Sequence, residues 1–173
     1  MSVAIPTIET EHLVLRPPRM EDFEAYAAFR ASPRAAFVGG PNPRPTAFNQ
    51  FCALLGHWHL RGFGRWMVAD RVTDAPLGVV GPYYPADWPE PELAWTVFAA
   101  AEGRGVAYEA TLAARAFAYR SLGWTTAISV VDPANARSAA LARRLGAQPD
   151  GVHQHETFGT LQIWRHPAPE ALA

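Results

Sequence analysis

The sequence predicts an α+β fold in which a mixed, largely antiparallel twisted sheet is flanked by helices. Three observations lead there. The chain opens with a strand and then a helix, antiparallel strands follow a second helix, and a strand, a glycine turn, a helix and another strand then run in succession. Leu13–Arg16 alternates as a short strand does and is stopped by Pro17 and Pro18, after which residues 20–30 place apolar side chains at helical spacing. Residues 33–45 are rich in Pro and Gly and are expected to be irregular. Phe48, Phe51, Leu54, Leu55 and Trp58 recur at intervals that predict a second helix over residues 46–60, with Thr46 as its cap.

Trp66–Asp70 and residues 76–81 flank the turn Thr73-Asp74-Ala75 and read as a hairpin. Residues 82–91 form a loop crowded with proline, Tyr83, Tyr84 and Trp88, and it leads into a strand over residues 92–98. A glycine turn, a helix over about residues 106–122 and a β-rich run over residues 125–131 complete a strand, turn, helix and strand unit. Residues 135–145 read as a further helix ended by Gly146, and residues 160–165 as a last strand before the tail from Pro167.

At 173 residues, 49% of them apolar, the chain has the size and composition of one compact domain spanning residues 1–173. A formal charge of −1 from 15 basic and 16 acidic residues sets up no global field toward nucleic acid or an anionic membrane. Its partners are therefore expected to be small or locally recognised. The lone Cys52 cannot form an internal disulfide, the opening has neither a basic patch nor an apolar run of signal length, and charges or prolines interrupt every apolar stretch before it reaches membrane-span length. A soluble cytoplasmic protein is the expectation. All of the basic residues are Arg, and Ala and Pro are abundant, which matches the codon bias of a GC-rich bacterial genome.

The turn Glu102-Gly103-Arg104-Gly105-Val106-Ala107 lies between a strand and a helix, where successive backbone N–H groups and the helix N-terminus suit an anion. Glycines there let a ligand approach the backbone, although the same pair serves a plain turn equally well. A P-loop would need Lys and then Ser or Thr where Val106 and Ala107 stand, so that reading fails. A dinucleotide-binding oxidoreductase is closer, because Asp132 ends the following strand where an acidic residue could take a ribose hydroxyl. Against it, Tyr108 occupies the place of the third glycine, and too little chain follows Asp132 to complete a doubly wound sheet.

Three stretches in this order resemble the GNAT superfamily of N-acetyltransferases, in particular the Rim-type branch that acetylates ribosomal proteins. They are Thr10-Glu11-His12-Leu13-Val14-Leu15-Arg16-Pro17, Gly103-Arg104-Gly105-Val106-Ala107-Tyr108-Glu109-Ala110, and Asp132-Pro133-Ala134-Asn135-Ala136-Arg137-Ser138 running on to Leu145-Gly146. The resemblance spans most of the chain. It implies an α/β/α sandwich with its core over about residues 8–167 and the cofactor held between two strands that splay apart. It also implies that the N–H groups of Gly103, Arg104, Gly105, Val106 and Ala107 cradle the pyrophosphate of acetyl-CoA or coenzyme A, without a metal. Relatives often carry Gln or Arg where Glu102 stands, so Glu102 is expected either to point away or to pair with Arg104.

Acetyl transfer needs an unprotonated amine, a polarised thioester carbonyl and a route for the thiolate. By the resemblance, Glu92 matches the carboxylate that takes the amine's proton; the plainer alternative is a solvated strand-end carboxylate beside Glu90. The backbone around Val97 and Phe98 would bond the pantetheine arm. Ala142 stands where many relatives carry a Tyr acid, which excludes that acid here, and Ser138 would offer a hydrogen bond to sulfur instead. A free thiol has a pKa of about 8.5, so the thiolate is a tolerable leaving group without a strong acid. Asn135 would cap its helix, contact the pantetheine, or do both. Tyr83, Tyr84 and Trp88 would wall the acceptor pocket or form a flap over the core.

An α-amino group, with a pKa of about 8, is far easier to deprotonate near neutrality than a lysine at about 10.4. The acceptor implied is a primary amine, either a protein N-terminus or a small molecule. Whether the protein forms a homodimer is left open by the sequence. His153 and His155 share one side of a strand, but His57 and His59 fall on a helix, where that spacing keeps the rings apart. Locally bonded or solvated histidines are expected rather than a metal site. From a different class, a non-catalytic acyl-CoA-binding module is distinguished from an enzyme by turnover alone.

Overall fold

The computed structural model describes residues 3–173. Its elements in chain order are β1 (Ile8–Glu9), β2 (Leu13–Arg16), α1 (Phe23–Ala31), α2 (Arg44–Arg61), β3 (Trp66–Asp70), β4 (Pro76–Tyr83), β5 (Glu92–Val97), α3 (Val106–Arg120), β6 (Ile128–Val131), α4 (Ala136–Arg144), β7 (Gln148–His155) and β8 (Gly159–Arg165). The eight strands form one sheet in the order β1-β2-β3-β4-β5-β6-β8-β7. Every neighbouring pair is antiparallel except β5 and β6. A doubly wound parallel sheet is therefore ruled out, and with it the dinucleotide-binding reading.

Alternation along β3 shows how the sheet becomes the middle layer. Trp66 and Val68 point to the face covered by α3, where Ala110, Ala114 and Ala118 recur every fourth residue and are fully buried. Their small side chains let α3 lie close to the strands. Met67, of opposite parity, packs on the other face with Phe23 and Tyr26 of α1 and Phe51 and Leu54 of α2. Val131, Ala142 and Trp164 form a smaller cluster where α4 covers β6 and β8.

Arg16 ends β2 almost fully buried, with its guanidinium bidentate on Asp22 (2.8 and 2.9 Å) and its Nε 2.8 Å from Asp74. This pair ties the end of β2 to the start of α1. Glu109 of α3 similarly accepts from the Thr10 hydroxyl (2.6 Å) and the His12 amide (2.8 Å), joining two of the stretches that carried the family resemblance.

The boundaries differ from the sequence reading in ways the chain explains. The second helix begins at Arg44 with Pro43 as its cap rather than at Thr46, because Pro45 sits in the first turn, where a missing N–H costs nothing. The first helix is entered through a 3-10 turn at Met20–Asp22, and Pro33–Val38, expected to be irregular, forms another. β6 starts only at Ile128. Two edge strands were not foreseen: β1 is two residues long, while β7 is largely exposed, contains Pro149 and Gly151, and shifts register between Pro149 and Val152. Among the described residues, no helix is long and apolar enough to cross a membrane.

Candidate active site

β5 and β6 run parallel but pair only at Glu92 and Ile128. Beyond that point they diverge, β5 continuing to Val97 and β6 to Val131. The Ser129 hydroxyl donates to the Leu93 carbonyl (2.6 Å) and clasps the base of this fork. Two cavities of about 410 and 510 Å³ open at the fork and share Trp95, Thr96, Asn135 and Ser138, so they form one continuous groove.

The smaller cavity contains the glycine turn. Gly103 (φ 74°) and Gly105 (φ 73°) adopt the left-handed conformation, and a Cβ on either would meet nothing within 4 Å, so the space above the backbone is free for a ligand. Gly105 caps α3 without a side chain, which leaves the first amides of the helix without intrahelical acceptors. Gly103, Gly105, Val106 and Ala107 line the cleft, whereas the Arg104 side chain turns away to Asp70 at 3.1 Å. The expected pairing of Glu102 with Arg104 is thus replaced: Glu102 is ion-paired with both Arg34 and Arg137, two cleft-lining arginines that offset its charge. Arg144, stacked 4.6 Å over the Tyr108 ring, adds a third cation to the rim. A turn with open amides and a basic rim fits a pyrophosphate.

Val97 lines the cleft, and its carbonyl accepts from Arg34 at 3.3 Å. Phe98 does not line it. Its N–H donates to the Leu77 carbonyl, its carbonyl accepts from the Ala101 amide, and its ring packs on Phe29 in the core, so its N–H is already engaged. Asn135 caps α4 by accepting from the Ser138 amide (3.2 Å). The Ser138 hydroxyl accepts from the Trp95 indole (3.1 Å), which leaves its own hydrogen available to the groove.

Glu92 lies at the root of the fork, 4% exposed, with the larger cavity before it. Burial raises its pKa to about 7 against two donors that hold the charged form, the Val130 amide and the Trp88 indole, each at 2.8 Å. A solvated strand-end carboxylate it is not. Glu90 is the solvated one, paired with Arg165 at 2.7 Å. Tyr83 and Trp88 line the larger cavity, whereas Tyr84 does not; its amide donates to His57 Nε2 and its ring lies under Arg61.

His57, His153 and His155 are engaged as structural groups, whereas His59 is exposed. His57 bonds the Phe63 carbonyl through Nδ1 (2.7 Å) and the Tyr84 amide through Nε2 (2.9 Å), and burial lowers its pKa, so it is neutral. His155 accepts two amides at Nδ1 and presents Nε2–H to Asp87 (2.6 Å), and with His153 it packs against Trp88. Among the described residues, no group of three or more His, Cys, Asp or Glu side chains is placed to hold a metal ion.

Sequence reasoning missed Tyr26, Arg30 and Arg65, which reach the larger cavity from α1 and from the entry to β3, and the buried chain Ser129, His166 and Arg115. His166 lies 2.8 Å from the Ser129 hydroxyl, and burial together with Arg115 lowers its pKa from 6.5 to about 3. Below pH 6.5 the unfolded chain takes up a proton that the native protein refuses, so stability falls as the pH drops from 6.5 toward 3. At pH 5 this amounts to about 2 kcal/mol. Glu92 acts in the opposite sense, so the difference isolates His166: urea unfolding at pH 5 and 7 is expected to show a smaller acid-side loss in His166→Asn than in the parent.

A family model described as an acetyltransferase (GNAT) domain matches residues 12–148. The crystal structure of an acetyltransferase from Agrobacterium tumefaciens is 39% identical, with a TM-score of 0.87 over 96% of this chain and 97% of that one. A ribosomal-protein alanine acetyltransferase from Vibrio fischeri is 15% identical with a TM-score of 0.71, covering 96% of this chain and 99% of that one. RimL, a ribosomal-protein α-N-acetyltransferase in complex with coenzyme A, is 14% identical with a TM-score of 0.75, covering 93% and 97%. These last two share the fold. The forked sheet, the match across residues 12–148 and the Agrobacterium relative place the chain in the GNAT family, and it is an acyltransferase that draws its acetyl group from acetyl-CoA.

Proposed function

We propose that the protein transfers the acetyl group directly to a primary amine that enters the larger cavity and meets Glu92. The observation that carries this reading is a buried carboxyl of raised pKa that lines the larger cavity at the start of β5, the strand whose Trp95 and Thr96 line both cavities. A base titrating near neutrality is matched to an α-amino group of pKa about 8 and poorly matched to a lysine at about 10.4. Each Glu92 oxygen receives one protein donor and keeps a lone pair for the amine's proton.

In this reading the backbone amides of the 103–107 turn grip the cofactor diphosphate as donors, and Val97 on β5 offers its carbonyl to the pantetheine arm once Arg34 yields it. The amine nitrogen bonds to the acetyl carbon, its proton passes to Glu92, and the C–S bond breaks. The Ser138 hydroxyl, oriented by Trp95, donates to the departing sulfur. Tyr83 and Trp88 wall the acceptor side. The acceptor is a peptide N-terminus or a small amine, the former with precedent in the names of the ribosomal-protein acetyltransferases of shared fold. Thiol release from acetyl-CoA across N-terminal peptides, polyamines and small amines tests the proposal. Amine-dependent release supports it, and release no faster than with buffer alone contradicts it.

A further inference from the structure

The acceptor cavity is polarised, and its charges specify the acceptor further. Tyr26, Arg30, Arg65 and Tyr83 gather on one side of it. Arg65 is half-buried with its guanidinium 4.1 Å over the Tyr83 ring, and among the described residues it makes no ion pair and no side-chain hydrogen bond. Arg30 is buried, and its bonds go to neutral partners, the Asn42 amide oxygen and the Val38 carbonyl (3.1 Å). Among the described residues, no carboxylate forms an ion pair with either cation. His57 is neutral with both ring nitrogens engaged; of the acids lining the cavity, Asp132 follows β6, and Glu92 on β5 feels the Arg65 charge without pairing with it.

Uncompensated cations in a half-closed cavity are costly unless a ligand supplies the counter-charge. The distance to the reactive end is short. Tyr83 is the direct cross-strand partner of Glu92, so their side chains share one face of the sheet, with Arg65 stacked on the tyrosine ring. A volume of about 510 Å³ suits a small molecule, and the walls are aromatic.

We propose that the acceptor is a small amino-carboxylate, an amino acid or close analogue, whose anionic group is bound by Arg65 with Arg30 while its amine faces Glu92. This rests on the acetyl-transfer reading above. Arg65 supplies the planar two-pronged donor set that carboxylates prefer, and Tyr83 fixes its plane.

The test compares L-phenylalanine with L-phenylalaninamide and phenethylamine, which lack the carboxylate, each rate being referred to the unprotonated amine, and adds a neutral-flanked peptide N-terminus. With acetyl-CoA and thiol detection, kcat/KM is expected to favour the carboxylate by about 10- to 100-fold over the amide. In Arg65→Met that preference is expected to fall to near unity, and Arg65→Lys to restore part of it; coenzyme A binding checks that each variant is folded. Equal or better use of the amide, or of the peptide, overturns the amino-carboxylate assignment while acetyl transfer stands. If none of the amines is acetylated, acetyl transfer to amines falls, and calorimetric titration of the coenzyme A-loaded protein with phenylalanine and its amide still decides the anion site. Tighter binding of the carboxylate, lost in Arg65→Met, supports the site, and equal or absent binding of both overturns it.

Discussion

Replacing Glu92 by Gln is expected to lower kcat by about 10²- to 10⁴-fold, the range a positioned general base contributes. The reason lies in where the carboxyl sits. Burial has raised its pKa to about 7, so at neutrality half the molecules hold a base strong enough to take the proton of an α-amine, and Gln holds none. The parent's kcat/KM is expected to rise with pH through an acid limb near 7, and the variant to lose that limb; an acceptor of distinct amine pKa separates this from the acceptor's own titration. Loss of a few-fold only, with the limb intact, contradicts the assignment. Stability moves the other way. A folded pKa raised above 4.5 means the parent loses stability as pH rises from 4.5 through 7, a slope the variant lacks. Part of that relief is offset because Gln brings one oxygen to the two donors, Val130 N–H and Trp88 Nε1–H.

Asp22→Ala is expected to cost about 3–5 kcal/mol, read from urea unfolding. Asp22 is 2% exposed and holds two nitrogens of a guanidinium that is itself 3% exposed, so its removal strands a cation where water cannot reach. Asp74 keeps its contact with Nε and, being half-exposed, compensates weakly. Such a loss is a large share of the 5–15 kcal/mol that typically separates folded from unfolded protein. Replacing both partners, Arg16→Met with Asp22→Leu, is expected to recover much of it, since no buried charge then remains. A single variant within 1 kcal/mol of the parent contradicts the buried-pair account.

Arg16 shows what the sequence conveyed and what it concealed. It belongs to the opening stretch that carried the family resemblance, yet its partner Asp74 is far along the chain, and only the folded sheet brings the pair together. The periodic elements were legible: β3 through α4 lie where alternation, helical spacing and glycine turns put them, because each buries a face whose pattern is local. The edges were not. β7 has little apolar alternation to betray it, and β1 is too short for any pattern. At the site, the glycine turn and Asn135 were legible because backbone conformation dictated the residue type. Tyr84, expected at the acceptor wall from its place in the loop before Glu92, lies under Arg61 instead, and Phe98, expected from the resemblance to offer its backbone to the pantetheine arm, does not line the groove. Arg30 and Arg65 escaped notice because nothing around them in sequence marks a cavity that only tertiary packing of α1 and α2 against β4, β5 and β6 encloses.

Acetyl transfer at this site requires the backbone amides of residues 103–107 to hold the diphosphate of a pantetheine cofactor. Isothermal titration of the folded protein with acetyl-CoA and with coenzyme A measures this directly. One-to-one association is expected with both, with Kd of about 1 μM to 1 mM, the span usual for enzyme substrates. Folded protein that takes up neither ligand would contradict the assignment of the cleft.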